Sequence, residues 1–264
     1  MDRKVALITG ANRGIGKGIA LELARAGCDV MLTARDQKAL QSVAEEARTL
    51  GRKASIHVAD LRTQQEPAGL VAALKREFGR LDILVNNAGG SGRSDFLKTT
   101  DDQWNDGFAM KFFAHVRLSR LVWPLLKESA GSVVAIAGLG SRIPVADYMI
   151  GASVVGACIA FTRALADLGK RDGVQVNVVN PGSVDTDRFK HRLTIIKKST
   201  GLDDAEATEH HRRELDITRF GRPEDIAGLV AFIVSPRGRW MHGSTIDMDG
   251  GQVSPVRMSA YDRP

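Results

Sequence analysis

The chain has 264 residues, 43% hydrophobic and 26% charged, which excludes a disordered chain and is enough for one large α/β core. Its 37 basic against 31 acidic residues leave a net charge of +6. The basic residues are scattered and only two tyrosines and three tryptophans are available for stacking, so nucleic acid is not an expected partner.

The opening MDRKVALITG holds too short an apolar run for a secretory signal. Later apolar runs are short and broken by glycine or charge, so no membrane span is expected. Short apolar runs at residues 5–8, 29–33, 54–58, 83–85, 132–136 and 174–179 predict strands. Between the early runs, residues 14–26, 37–50 and 64–78 carry apolar positions at helical spacing. Strand–helix alternation predicts a doubly wound parallel sheet with helices on both faces. No linker, repeat or low-complexity tract interrupts residues 1–264, so one domain is expected. Further apolar helices are read at 104–127 and 153–167, and a last strand at 244–249.

Two regions depart from this rhythm. Residues 187–216 are polar, include His210 and His211, and precede a helix start at Arg222-Pro223-Glu224. A long insertion after a strand's carboxyl end reads as a substrate lid over the ligand crevice. The tail after Gly251 is polar with two prolines, and packing on a neighbouring subunit is expected to order part of it. Cys28 and Cys158, the only cysteines, lie in apolar segments without metal-ligand spacing. That suits a reducing cytoplasm and predicts no metal.

The first strand runs into Thr9-Gly10-Ala11-Asn12-Arg13-Gly14-Ile15-Gly16 and then a helix. Glycines between a strand and a helix start let the backbone approach a pyrophosphate, and the helix N-terminus supplies free N–H groups. The second strand ends at Ala34-Arg35-Asp36. Arg13 and Arg35 at one corner suit a 2′-phosphate and favour NADP(H) over NAD(H). Asp36 offers the alternative, a carboxylate for the free ribose hydroxyl of NAD.

With these residues in view, the whole chain resembles the short-chain dehydrogenase/reductase family. Val58-Ala59-Asp60-Leu61 is similar to its adenine-binding turn, and Asn86-Asn87-Ala88-Gly89 to its NNAG motif. Asn180-Pro181-Gly182 with Thr186, and the closing Asp249-Gly250-Gly251, resemble its later motifs. The resemblance implies a Rossmann-type sheet of about seven strands. It also implies a cofactor site at Gly10, Asn12, Arg13, Gly14, Ile15, Gly16, Arg35, Asp60, Leu61, Asn87, Ala88, Gly89, Pro181, Gly182, Val184 and Thr186, with Asn86 near a ribose.

The family's catalysis uses asparagine, serine, tyrosine and lysine. Aligned on Thr162-Arg163-Ala164-Leu165-Ala166, the lysine position is Val155 and the tyrosine position Gly151. The serine position is Gly138 and the asparagine position Lys111. Tyr148 and Ser141 are the nearby offsets, and neither restores a Tyr-xxx-Lys face. Lys111 as the electrostatic group and Tyr148 as the acid are therefore the candidate catalytic pair, with Tyr148 expected about one turn before the helix. The expected function is an NADP(H)-dependent oxidoreductase for a carbonyl or hydroxyl substrate. The alternative is an inactive NADP(H)-binding protein with a regulatory or assembly role. The resemblance also implies a homotetramer, otherwise a homodimer, built on the two apolar helices and the last strand.

Overall fold

The computed structural model describes residues 3–90 and 92–253. Most of the C-terminal tail, from residue 254, lies outside the described residues. The strands are β1 (Val5–Thr9), β2 (Asp29–Ala34), β3 (Ala54–Val58), β4 (Ile83–Asn86), β5 (Ser132–Ile136), β6 (Gln175–Pro181) and β7 (Thr245–Met248). They form one sheet in the order β3-β2-β1-β4-β5-β6-β7. Every pairing is parallel. The order reverses between β1 and β4, which opens a crevice beyond their carboxyl ends, where such sheets take ligands.

The apolar runs of β1, β4 and β5 are buried throughout, because helices cover both faces. On one face, α1 (Gly14–Arg25), α2 (Gln37–Thr49) and α9 (Pro223–Ile233) pack their buried aliphatic residues against β1 and β2. On the other lie α3 (Glu66–Phe78), α5 (Ala114–Glu128) and the C-terminal part of α6 (Met149–Asp172). Asp36 caps α2, its carboxylate accepting the Ala39 N–H at 3.0 Å. α4 (Asp101–Gly107) starts with a capping box in which Thr100 and Gln103 exchange hydrogen bonds.

Three features differ from the sequence reading. The helix expected over 104–127 is broken into α4, a π-helical stretch Phe108–Phe113, and α5. A π turn inserts one extra residue without disturbing the apolar character of the run, so periodicity does not register it. Secondly, α6 extends from 149 to 172 rather than 153 to 167, and Tyr148 is its N-cap residue instead of lying a turn upstream.

Thirdly, the segment Ala146–Asp172 is long and apolar enough to cross a membrane by length and composition, with mean hydropathy 1.7 over its most apolar window. Its many alanines and aliphatic residues keep the mean hydropathy high, although glycines interrupt them. In the structure the helix packs its Ile150, Val154 and Cys158 face on Trp104, Phe108 and Phe112, and farther along joins the sheet core through Ala166.

Candidate functional site

At the head of the crevice, the turn from β1 to α1 is locked to the end of β4. Buried Thr9 receives the Asn87 and Ala88 N–H groups on its hydroxyl at 2.9 and 2.8 Å. The Asn87 amide donates to the Thr9 carbonyl at 2.9 Å and to that of Gly10 at 3.3 Å. Gly10 turns the chain with φ +64°. A Cβ on Gly16 would lie 2.1 Å from the Gly10 carbonyl oxygen, so only glycine lets α1 start this close to the turn. The Gly14-Ile15-Gly16 first turn then presents N–H groups without intrahelical partners to the crevice, a cradle suited to a pyrophosphate. Asn12 lies in the turn between Gly10 and Arg13. Thr9 is the residue that sequence reasoning passed over. Its signal was a hydroxyl immediately before the first glycine.

The remaining cofactor candidates surround this cradle. Arg13 forms an exposed ion pair with Asp187 at 3.0 Å, linking the glycine turn to α7 (Asp187–Thr200). Arg35 is exposed after β2, close enough to Asp60 for its charge to favour the carboxylate. Asp60 itself is gripped by Arg62, which accounts for most of its lowered pKa. The Arg62 Nε lies 3.0 Å from one carboxylate oxygen of Asp60 and 3.1 Å from the other. Buried Leu61 anchors the turn in the core. Asp36 is committed to its helix cap. Pro181 ends β6 in register with Met248 of β7, and the following Gly182 N–H donates to the Met248 carbonyl at 3.0 Å. A Cβ on Gly182 would meet the Asp249 backbone at 2.6 Å. Val184 bridges to Gly221, and Thr186, the residue before α7, donates its hydroxyl to the Val184 carbonyl at 3.3 Å. The Asn86 side chain is buried. Its amide donates to Ser119 at 3.2 Å in the interior, and its buried carbonyl oxygen has no partner among the described residues.

Lys111 sits on the π-helical stretch and is 7% exposed. Its stem crosses Gly89, where a Cβ would come within 2.7 Å of the lysine Cβ. The ammonium donates to the Ile136 carbonyl at 2.9 Å, not to a carboxylate. Burial lowers its pKa; Cys158 works against that shift, and the positive charge of Arg188 adds to it. Tyr148, half-buried, lines the same crevice, as do Gly89, Gly151, Val155 and Arg188. The Tyr148 ring rests against Gly140 and lies 5.8 Å from the Arg93 guanidinium carbon. Arg93 in turn pairs with Asp147 and holds that carboxyl below the usual range.

The loop after β5 is pinned from below. The Gly138 N–H donates to Asn180 at 3.3 Å, and the Asn180 amide donates to Asp247 at 2.7 Å. His115, one turn after Lys111, is 1% exposed, and neither ring nitrogen has a hydrogen-bond partner among the described residues. Arg117 is occupied in packing, donating to the Arg62 carbonyl at 3.1 Å.

Comparison with known proteins agrees with the fold. A family model described as Enoyl-(Acyl carrier protein) reductase matches residues 10–252. A short-chain dehydrogenase/reductase from Cladobotryum sp is 35% identical over 261 residues, covering 95% of this chain and 96% of that protein. L-sorbose reductase from Gluconobacter frateurii, solved with NADPH and L-sorbose, superposes with TM-score 0.93 at 28% identity, over 97% of this chain and 98% of that one. A 7 alpha-hydroxysteroid dehydrogenase, solved with NADH and 7-oxo glycochenodeoxycholic acid, superposes with TM-score 0.85 at 29% identity, over 95% and 94%.

Proposed function

Because the chain belongs to the short-chain dehydrogenase/reductase family, we propose that it is an NADP(H)-dependent oxidoreductase acting on a carbonyl or hydroxyl substrate through an unusual catalytic pair. The observation that carries this reading is the glycine cradle, closed by Thr9 and Asn87 to a spacing that a single Cβ would destroy. Gly10, Asn12, Gly14, Ile15 and Gly16 would hold the pyrophosphate. Arg13 and Arg35 would take the 2′-phosphate, since Asp36 is spent on its helix cap. Asp60 and Leu61 would border the adenine, Asn87, Ala88 and Gly89 a ribose, and Pro181, Gly182, Val184 and Thr186 the nicotinamide. When bound, that group supplies or accepts a hydride.

The substrate oxygen then needs a proton and a positive field as charge develops on it. Gly138, Gly151 and Val155 offer neither. In this reading Lys111 supplies the field and the Tyr148 hydroxyl the proton, which is replaced from solvent. Their place on one crevice supports it. The segment 187–216, folded as α7 and α8 (Asp204–Glu214), serves as the substrate lid. The protein works in the cytoplasm as a homotetramer, with half-buried apolar residues of α6 such as Ile159 and Phe161 contributing to the contacts.

Lys111→Met and Tyr148→Phe should each lower NADPH-dependent carbonyl reduction by ~10²–10⁴-fold, the range for losing a group of this kind. NADPH affinity, read by fluorescence titration, should be nearly unchanged. Tight NADPH binding without turnover of any carbonyl compound would instead indicate a nonenzymatic cofactor-binding protein.

A further inference from the structure

We propose that the crevice selects a carbonyl compound carrying a carboxylate, seated between Lys111 and Arg188. This rests on the oxidoreductase reading above and adds the substrate class to it. The Lys111 ammonium has three N–H donors, and the described residues offer it one acceptor, the neutral Ile136 carbonyl. It forms no ion pair among them, although it is almost wholly removed from water. A buried cation is costly without an opposite charge, so the site lacks an anion that it is built to receive.

Arg188, in the first turn of α7, faces Lys111 across the same crevice. Its Nη2 lies 2.1 Å from where a Gly90 Cβ would stand, so the bare backbone at residue 90 admits the guanidinium to the site. Arg188 makes no salt bridge among the described residues, whereas the arginines around it are all engaged. Arg13 pairs with Asp187 at 3.0 Å, Arg192 with Glu214 at 3.8 Å, and Arg93 with Asp147. The described lining contains no Asp or Glu. Lys111 and Arg188, whose charge further disfavours that of the lysine, therefore face a space floored by glycine and valine. A planar carboxylate matches the guanidinium fork and leaves its other side to the ammonium. A neutral ketone would leave the buried Lys111 without an opposite charge, while Arg188, exposed at the mouth of the crevice, stays solvated.

The test uses matched probes differing by one charge, pyruvate against methyl pyruvate and benzoylformate against methyl benzoylformate. Initial rates of NADPH oxidation give kcat/KM, and calorimetric titration into the NADP⁺-loaded protein gives Kd. The acids should exceed their esters by about tenfold or more in both readouts. Arg188→Ala should bring that ratio close to unity, and Arg188→Lys should restore part of it. Equal or better use of the esters by the unmutated protein overturns the inference while leaving the oxidoreductase reading intact. Arg188→Ala weakening NADPH binding as much as acid binding also overturns it, because the pair would then serve the cofactor. If no probe turns over but acid binding persists and depends on Arg188, the anion site stands and the oxidoreductase reading gains nothing from these probes.

Discussion

Folding stability should depend on pH through His115, buried with its ring unpaired. Burial, with Lys111 adding to it, pushes the His115 pKa down to about 3, and the Ala88 backbone opposes this only in part. In the unfolded chain a histidine titrates near ~6.5. Below that pH the unfolded chain takes up a proton that the folded chain refuses. The stabilising difference is complete above about pH 7 and is lost as pH falls towards 3. Linkage puts the loss at about 2 kcal/mol between pH 7.5 and pH 5, approaching ~5 kcal/mol at the acid limit. His115→Leu keeps the volume roughly and removes the titrating ring. Urea unfolding of both proteins at pH 7.5 and pH 5, at one protein concentration, isolates the effect because the other histidines are shared. The unmutated protein should lose about 2 kcal/mol more than the variant over that interval. Equal losses would refute the assignment and mean that the ring is hydrated or paired in solution.

Arg35→Ala should narrow the preference for NADPH over NADH by about 1–3 kcal/mol in calorimetric titrations, the worth of a charge-assisted contact; equal affinity of the unmutated protein for both would exclude the 2′-phosphate role. Gly16→Ala should abolish NADPH binding in a fluorescence titration, since its Cβ would stand 2.1 Å from the Gly10 carbonyl oxygen. Light scattering at micromolar concentration should give the mass of a tetramer, and a monomer would contradict the assembly reading.

The strands were readable because a sheet covered on both faces writes itself as unbroken apolar runs, and each run lies in or overlaps a strand of the sheet. The glycine turn between β1 and α1 was readable for a related reason. Backbone crowding at Gly10 and Gly16 leaves glycine no substitute, so the geometry leaves its mark in the sequence. The rest of the site has no such mark. The acceptor that holds Lys111 is the Ile136 carbonyl, which any residue at 136 would provide. The π-helical stretch that carries Lys111 retains the apolar spacing of an α-helix to the eye. Arg188 resembles its neighbours in a polar segment, and only its position over Gly90 singles it out.

Lys111 and His115 lie one turn apart in the same low-dielectric volume, and each is driven towards its neutral form by burial. Lys111 also bears on the charge of His115, and Arg188 on that of Lys111. A chain of cation-capable groups with no anion among them is poor design for stability alone, because an apolar set of the same volume would avoid the desolvation cost. It becomes sensible if the missing charge arrives with the substrate. A carboxylate beside Lys111 and Arg188 reverses the electrostatic balance and favours the charged ammonium when the carbonyl is in place. Lys111 would then carry its charge while the carbonyl is in place, when developing oxyanion charge calls for a cation. In the proposed reading the carbonyl sits beside Gly151, whose missing side chain leaves room for it. On this argument Lys111 is tolerated in the core because the substrate completes it.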